Sequence, residues 1–245
     1  MREWIYGRNA VMEALQARRR EVFSLLLAIG VEDKGRIQEI QKLALARKCK
    51  VERVPKERLA KMGENPQGVA LEVSGYPYVD ITDIIARAET AGEDLFVLLL
   101  DMIQNPQNLG TLLRTAEAAG VHGVIIPQHR AAEVTPAVVN SSSGASEHML
   151  IAQANLASAV EELKQAGAWV VGLDGGLGSQ PVQEIRLDGP IAVIVGNEGE
   201  GMRALVREKC DFLLGLPMRG RIDSLNAAVA GSIVLYQVVL TRQQK

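Results

Sequence analysis

Leu216-Pro217-Met218-Arg219-Gly220-Arg221-Ile222-Asp223-Ser224-Leu225-Asn226-Ala227-Ala228-Val229-Ala230 reads as the end of a strand, a tight polar loop and the start of a helix. Phe212 to Leu216 is apolar and strand-like, and Arg219-Gly220-Arg221 breaks the run. Asp223 or Ser224 is expected to cap a helix from Leu225 to Thr241, because a short side-chain oxygen accepts from the free N–H groups of a first turn. A loop feeding a helix start presents donors and a positive dipole end to a ligand. Ala227, Ala228, Ala230, Gly231 and Ser232 are small enough to admit another backbone or a second subunit.

Working back from that stretch, strands are expected at Phe96 to Asp101, Gly123 to Pro127, Met149 to Ala152, Trp169 to Leu173 and Ile191 to Val195. Helices are expected at Asn108 to Ala119, Thr135 to Ser143, Leu156 to Gln165 and Met202 to Lys209. Continuous apolar strands alternating with helices imply an α/β fold with a mostly parallel sheet covered on both faces. The N-terminal third alternates in the same way. Its helices are expected at Asn9 to Ala17, Lys34 to Arg47 and Lys56 to Met62, and its strands at Val22 to Leu27, Lys50 to Val54 and Val69 to Val73. Gly75-Tyr76-Pro77-Tyr78 reads as a linker, since proline blocks a regular element. The expected division is a small α/β domain over 1–75, a linker and entry helix over 76–94, and a larger domain over 95–245.

With 245 residues, 47% of them apolar, the chain can bury one large core or two small ones. No apolar h-region follows Met1-Arg2-Glu3-Trp4, and Phe96 to Leu100 is far too short to span a bilayer. A cytoplasmic protein is the expectation, with Cys49 and Cys210 as free thiols and no metal-ligand spacing. The net charge of −2 argues against indiscriminate nucleic-acid binding, but its distribution is uneven. Residues 1–75 hold 15 Lys/Arg against 10 Asp/Glu, a net +5, while the remainder carries −7. Arg8, the run Arg18-Arg19-Arg20, and Arg47-Lys48 are either solvated helix ends or a basic face for phosphates.

Two further loops follow strands, at the carboxyl ends where α/β sheets bind ligands. In Asn105-Pro106-Gln107-Asn108-Leu109-Gly110, Asn108 is the expected cap, and Arg114 follows on an otherwise apolar helix. It is either a snorkelling surface residue or a phosphate and ribose contact. In Val195-Gly196-Asn197-Glu198-Gly199-Glu200-Gly201, three glycines in six residues force a tight backbone path, and two carboxylates disfavour a P-loop. Gly172 to Gly178 follows a strand without the G-x-G-x-x-G order of a dinucleotide loop. Asn140 to Glu147 is polar and small and could face an active site or a subunit seam. His122, His129 and His148 show no ligand spacing.

In this order the three loops resemble the SpoU (TrmH-type) class of SPOUT RNA methyltransferases. The resemblance rests on Asn108-Leu109-Gly110 with Arg114-Thr115-Ala116, on Val195 to Gly201, and on Leu216-Pro217-Met218 with Ser224-Leu225-Asn226. Ile5 to Val11 and Gln67-Gly68-Val69-Ala70 are similar to the substrate-binding domain of 23S rRNA guanosine-2′-O-methyltransferases. Three departures stand out: Ala227-Ala228 in place of Val-Ser, Asn105-Pro106 in place of Asp-Pro, and Asn140 where many relatives carry lysine.

The resemblance implies a trefoil-knotted C-terminal domain and a homodimer. It also implies a site for S-adenosylmethionine at Leu173, Gly196, Leu216, Met218, Ser224 and Leu225. Catalytic roles would fall to Arg114, Asn108, Glu198, Ser224 and Asn226, with the family's arginine proposed to activate the ribose 2′-hydroxyl. A guanidinium is a poor general base, so orientation and charge stabilisation are the favoured role and the base role stays open. Glu198 could hold Arg114 or a partner's arginine. RNA would be recruited through Arg8, Arg18, Arg19, Arg20, Arg47 and Lys48. Ribosomal RNA is the leading substrate and tRNA the competitor. A non-catalytic RNA-binding or ribosome-assembly factor on the same fold is the rival class, and a nucleotide-dependent oxidoreductase is weakened by the missing glycine fingerprint.

Overall fold

The computed structural model describes residues 2–63, 65–176, 178–197 and 199–244. In chain order the first elements are β1 (Arg2–Tyr6), α1 (Arg8–Ala17), β2 (Val22–Ala28), α2 (Arg36–Ala46), β3 (Lys50–Val54), α3 (Lys56–Ala60) and β4 (Val69–Ser74). Next come α4 (Ile81–Ala91), β5 (Phe96–Leu100), α5 (Pro106–Ala118), β6 (Gly123–Pro127), α6 (Pro136–Ser141), β7 (Ile151–Ala154), α7 (Leu156–Gln165) and β8 (Trp169–Leu173). The chain closes with β9 (Ile191–Val195), α8 (Ala204–Glu208), β10 (Phe212–Leu214) and α9 (Ala227–Arg242). Two compact units result, one from Met1–Pro77 with Glu133–His148, the other from Tyr78–Ala132 with Met149–Lys245.

The first unit is a four-stranded sheet in the order β1-β4-β2-β3. It is mixed: β4 runs antiparallel to both β1 and β2, and only β2 and β3 are parallel. Strand β1 was not expected. Its charged and aromatic residues mask a strand whose Ile5 is fully buried. Glu133–His148 packs here, although the sequence reading assigns it to the larger domain. Its anchor is Glu147, whose two carboxylate oxygens accept from Nε and Nη2 of Arg20 at 2.9 and 2.8 Å. Arg20 Nη1 also donates to Glu3 Oε2 (2.8 Å) and the Ser74 carbonyl (3.1 Å).

The second unit is a six-stranded, all-parallel sheet in the order β10-β8-β9-β5-β6-β7. Every residue of β5, β6 and β9 is buried, as strands covered by helices on both faces require.

Four helix starts, those of α2, α5, α8 and α9, differ from expectation by two residues, and two of them bear on the site. Helix α5 begins at Pro106, and Asn105 rather than Asn108 is its cap, accepting from Gln107 N–H at 2.8 Å. Proline suits the first helical position because it lacks the N–H that would go unmade there. Helix α9 begins at Ala227, capped neither by Asp223 nor by Ser224 but by Asn226, whose Oδ1 accepts from the N–H groups of Ala228 (3.0 Å) and Val229 (3.3 Å).

The small residues of α9 have an internal role. Ala227, Ala228 and Gly231 are buried in their own chain, and a Cβ on Gly231 would meet Leu112 Cδ2 at 2.7 Å and Val195 Cγ2 at 2.9 Å. Ser232 Oγ and Thr115 Oγ, 2.9 Å apart, share a hydrogen bond between α9 and α5. The outward face instead carries large apolar side chains: Val229, Ile233, Tyr236 and Leu240, each between 38% and 49% exposed.

Candidate cofactor and catalytic site

Leu173 leaves β8, Val195 and Gly196 leave β9, and Leu214 and Leu216 leave β10, all at the carboxyl ends of parallel strands. They line one cavity of ≈ 490 Å³ together with Met218, Ser224 and Leu225. All six residues expected at the cofactor therefore meet in one place, although Leu173 and Leu225 lie 52 positions apart.

Gly196 shapes the floor. A Cβ there would press on the Gly201 carbonyl oxygen at 2.7 Å and collide with the Met202 amide. The loop returns on itself by paired hydrogen bonds, Asn197 N–H to Gly201 O at 3.1 Å and Gly201 N–H to Asn197 O at 2.9 Å. Gly201 sits at φ +70°, which a side chain rarely adopts. The Asn197 side chain locks the turn, its Oδ1 accepting from Gly199 N–H (2.8 Å) and its Nδ2 donating to the Met102 carbonyl (3.2 Å). Glu198, expected to be catalytic, lies outside the described residues.

Two acid–arginine pairs were missed in the sequence. Asp101, fully buried just after β5, accepts from Arg203 N–H at 2.8 Å and from Arg203 Nε at 2.7 Å. Its own N–H donates to the Val195 carbonyl at 2.8 Å, so it ties β9 to the end of the glycine loop. The available signal was a charge closing a run of six apolar residues, Leu95 to Leu100. At the cavity wall, Asp174 Oδ2 accepts from Arg207 Nε at 2.6 Å and Oδ1 from Gly176 N–H at 2.7 Å. Partial burial raises the Asp174 pKa, but the Arg207 hydrogen bond, the Gly176 amide and the Arg207 charge outweigh it and hold the carboxyl below its ordinary value. The carboxylate thus stays ionised beside the cavity.

Of the expected catalytic residues, Ser224 lines the cavity, whereas Asn108, Arg114 and Asn226 do not. Asn226 Nδ2 donates to Asn108 Oδ1 at 3.1 Å, joining the first and third loops. Arg114 is exposed on α5, two turns beyond Asn108.

The basic residues of the first unit divide. Arg20 is only 2% exposed and is consumed by Glu147 and Glu3, so it is not part of a phosphate-facing surface. Arg19 donates from Nη1 to Tyr76 Oη (2.9 Å) and from Nη2 to the Pro77 carbonyl (3.0 Å), while Arg47 Nη2 donates to the Arg20 carbonyl (2.7 Å). Sequence adjacency misled here: these guanidiniums fasten loops. Arg18 and Lys48 are exposed in left-handed turns, and Arg8 is exposed at the start of α1. Among the described residues no group of three or more His, Cys, Asp or Glu side chains could hold a metal ion.

The second-unit cavity suits an adenosyl cofactor on the structure's own terms. Its volume is that of a small-ligand site, its walls include Leu173, Leu216 and Leu225, and at Gly196 the missing Cβ lets the loop backbone of Gly201 and Met202 close against the wall. Residues 95–236 match the SpoU rRNA Methylase family, and residues 4–79 match the RNA 2′-O ribose methyltransferase substrate binding family. Fold and site together define an RNA methyltransferase. The chain is 40% identical to the YacO protein of Bacillus subtilis, described as a TrmH family tRNA/rRNA methyltransferase, over 98% of this chain and 96% of that one. The SpoU methyltransferase AviRb from Streptomyces viridochromogenes, in complex with AdoMet, superposes with a TM-score of 0.81 and 28% identity, covering 98% of this chain and 90% of that one. An AdoMet-bound rRNA methyltransferase from Sinorhizobium meliloti gives 0.81 and 25%, over 97% and 86%. The chain belongs to the SpoU rRNA methylase family.

Proposed function

We propose that the protein transfers a methyl group to a ribose 2′-hydroxyl of RNA, with a guanosine of 23S rRNA as the substrate. The observation that carries this reading is the single cavity into which the β8, β9 and β10 loops converge. The methyl donor is S-adenosylmethionine, the ligand held by the AviRb and S. meliloti proteins. When bound, it supplies a methyl group on a positively charged sulfur.

The chain's own residues do the rest. Leu173, Leu216 and Leu225 exclude water from the cofactor, and Gly196 admits it against the backbone. Met218 and Ser224 close the remaining wall. Asn226 and Asn108 hold the third loop to the start of α5, which fixes the helix that carries Arg114. Arg114 orients the ribose and stabilises the oxyanion that develops as the hydroxyl gives its proton to solvent water, since positioning and fixed charge supply much of a group-transfer rate.

The working unit in this reading is a cytoplasmic homodimer with a trefoil-knotted catalytic domain. The exposed stripe Val229, Ile233, Tyr236 and Leu240 supports the dimer, because large apolar side chains sharing one helix face mark an interaction surface. A tRNA substrate is the second reading, favoured by the tRNA/rRNA description of YacO. Incubation with methyl-labelled S-adenosylmethionine and separated rRNA and tRNA tests both. Label at a 2′-O-methylguanosine of 23S rRNA is the expected result. Label confined to tRNA transfers the substrate assignment, and label in neither RNA overturns the activity.

A further inference from the structure

A second cavity, of ≈ 610 Å³, lies wholly within the first unit. Ala28 and Leu59, both buried, form its floor, Val31 and Pro66 its walls, and Arg8 and Lys56 stand among its lining residues. Arg8 is held in place from the facing loop. Its backbone N–H donates to Gln67 Oε1 at 3.0 Å, and its Nε donates to the Gln67 carbonyl at 3.2 Å. The two terminal nitrogens of Arg8 meet no hydrogen-bond partner among the described residues, and neither does the Lys56 ammonium. Gln67 (φ 52°) and Gly68 (φ 79°) both take left-handed backbone, and a Cβ on Gly68 would touch Val31 Cγ2 at 2.6 Å. The loop therefore packs down on Val31.

An apolar slot with two cations that have no acidic partner among the described residues selects a ligand that is flat and apolar at one end and anionic at the other. A splayed-out base with its own phosphate fits that description. The net +5 of residues 1–75 draws the same polyanion. An apolar peptide would leave both cations uncompensated.

We propose that this cavity receives one unpaired nucleotide of the RNA substrate, its base against Val31 and Leu59 and its phosphate on Arg8 and Lys56. The proposal rests on the reading of the chain as an RNA methyltransferase. It moves the RNA contact of the first unit away from Arg19, Arg20 and Arg47, which are spent on internal bonds, to the opposite end of α1.

The test uses the full chain, a fluorescein-labelled single-stranded RNA octanucleotide and 23S rRNA. Arg8→Gln/Lys56→Gln should weaken octanucleotide binding about tenfold or more. It should also flatten the dependence of log affinity on log salt by about 0.7, the value for one lost phosphate contact on a single strand. Val31→Trp, which fills the slot and keeps both charges, should weaken binding comparably while leaving the salt slope in place. Both variants should raise KM for rRNA and leave S-adenosylmethionine affinity, read by calorimetry, at the wild-type value. Wild-type binding by the double variant overturns the proposal. So does wild-type binding by a folded Val31→Trp, which would reduce the site to surface charge, and so does competition by 5′-GMP as strong as by the octanucleotide, which would make it a free-nucleotide site. None of these outcomes touches methyl transfer by the wild-type enzyme, whose absence would instead overturn the proposed function.

Discussion

Asn226 Nδ2 donates to Asn108 Oδ1 at 3.1 Å, while the Oδ1 of the same Asn226 caps α9. One carboxamide therefore fixes both where the last helix starts and where the third loop meets α5. Asn226→Ala should cost about 1 kcal/mol of stability for the lost cap. It should lower single-turnover methyl transfer by roughly 100-fold, the penalty of a displaced reacting geometry. Asn108→Ala keeps the cap, so it should reproduce the loss of rate with little change in Tm. Equal Tm losses in the two variants would contradict this division of labour.

Gly196→Ala places a methyl group against the Gly201 carbonyl and the Met202 amide, both backbone groups that cannot rotate aside. Overpacking of this kind costs about 1–3 kcal/mol, and the glycine loop must shift to relieve it. S-adenosylmethionine affinity, measured by calorimetry, should fall at least about tenfold. Undiminished affinity would show that the loop backbone does not set the cavity wall.

Arg114 lies on α5 outside the residues that line the cavity. Arg114→Ala should therefore leave cofactor affinity intact and abolish detectable methyl transfer. Arg114→Lys keeps a charge without the planar fork and should restore only a small fraction of the rate. Full turnover by Arg114→Ala would remove the residue from the reaction.

Arg20 and Glu147 pair by two hydrogen bonds with almost no solvent exposure. Burial raises the Glu147 pKa against the pull of Arg20, so the pair gains less than its geometry suggests. Arg20→Met alone should destabilise the protein by about 3–5 kcal/mol, because it strands a buried carboxylate. Arg20→Met/Glu147→Leu should recover much of that loss in denaturant unfolding. An additive double variant would show that the two residues do not act as a pair.

His122 is buried, its Nδ1 accepting from Phe96 N–H at 3.0 Å and its Nε2 facing Glu93 Oε2 at 3.1 Å. Burial lowers its pKa, and Glu93 opposes this only in part. A depressed folded value means that the unfolded chain takes up the proton first as pH falls. The stabilisation is whole above the ordinary imidazole value near 6.5 and is lost as pH drops from there toward the folded value. His122→Asn should remove that pH dependence, checked by thermal melts between about pH 7.5 and about pH 5.

The second unit was legible because its strands are unmixed. Ile191–Val195 and Trp169–Leu173 have the bounds their apolar runs predict. Leu173, Gly196 and Leu216 were grouped through the family resemblance, and they meet because loops after parallel strands open at one edge. What stayed hidden depended on partners distant in sequence. Arg20 reads as part of a basic triplet until Glu147, 127 positions on, is seen against it. Asp101 reads as the end of a strand until Arg203 reaches it. β1 was lost because Arg2, Glu3 and Trp4 break the alternation that would have revealed Ile5. Helix starts slipped because asparagine caps at positions 105 and 226 compete with equally good residues beside them.

Glu133–His148 belongs to the first unit, although the chain completes β5, α5 and β6 before reaching it. During synthesis, Arg20 and its first partner Glu3 emerge from the ribosome more than a hundred residues ahead of Glu147, the carboxylate that takes its other two nitrogens. The N-terminal unit therefore cannot finish folding in the order in which it is made. Glu147, almost without solvent exposure, arrives only after part of the parallel sheet, so completion of the first unit is timed by translation of the second.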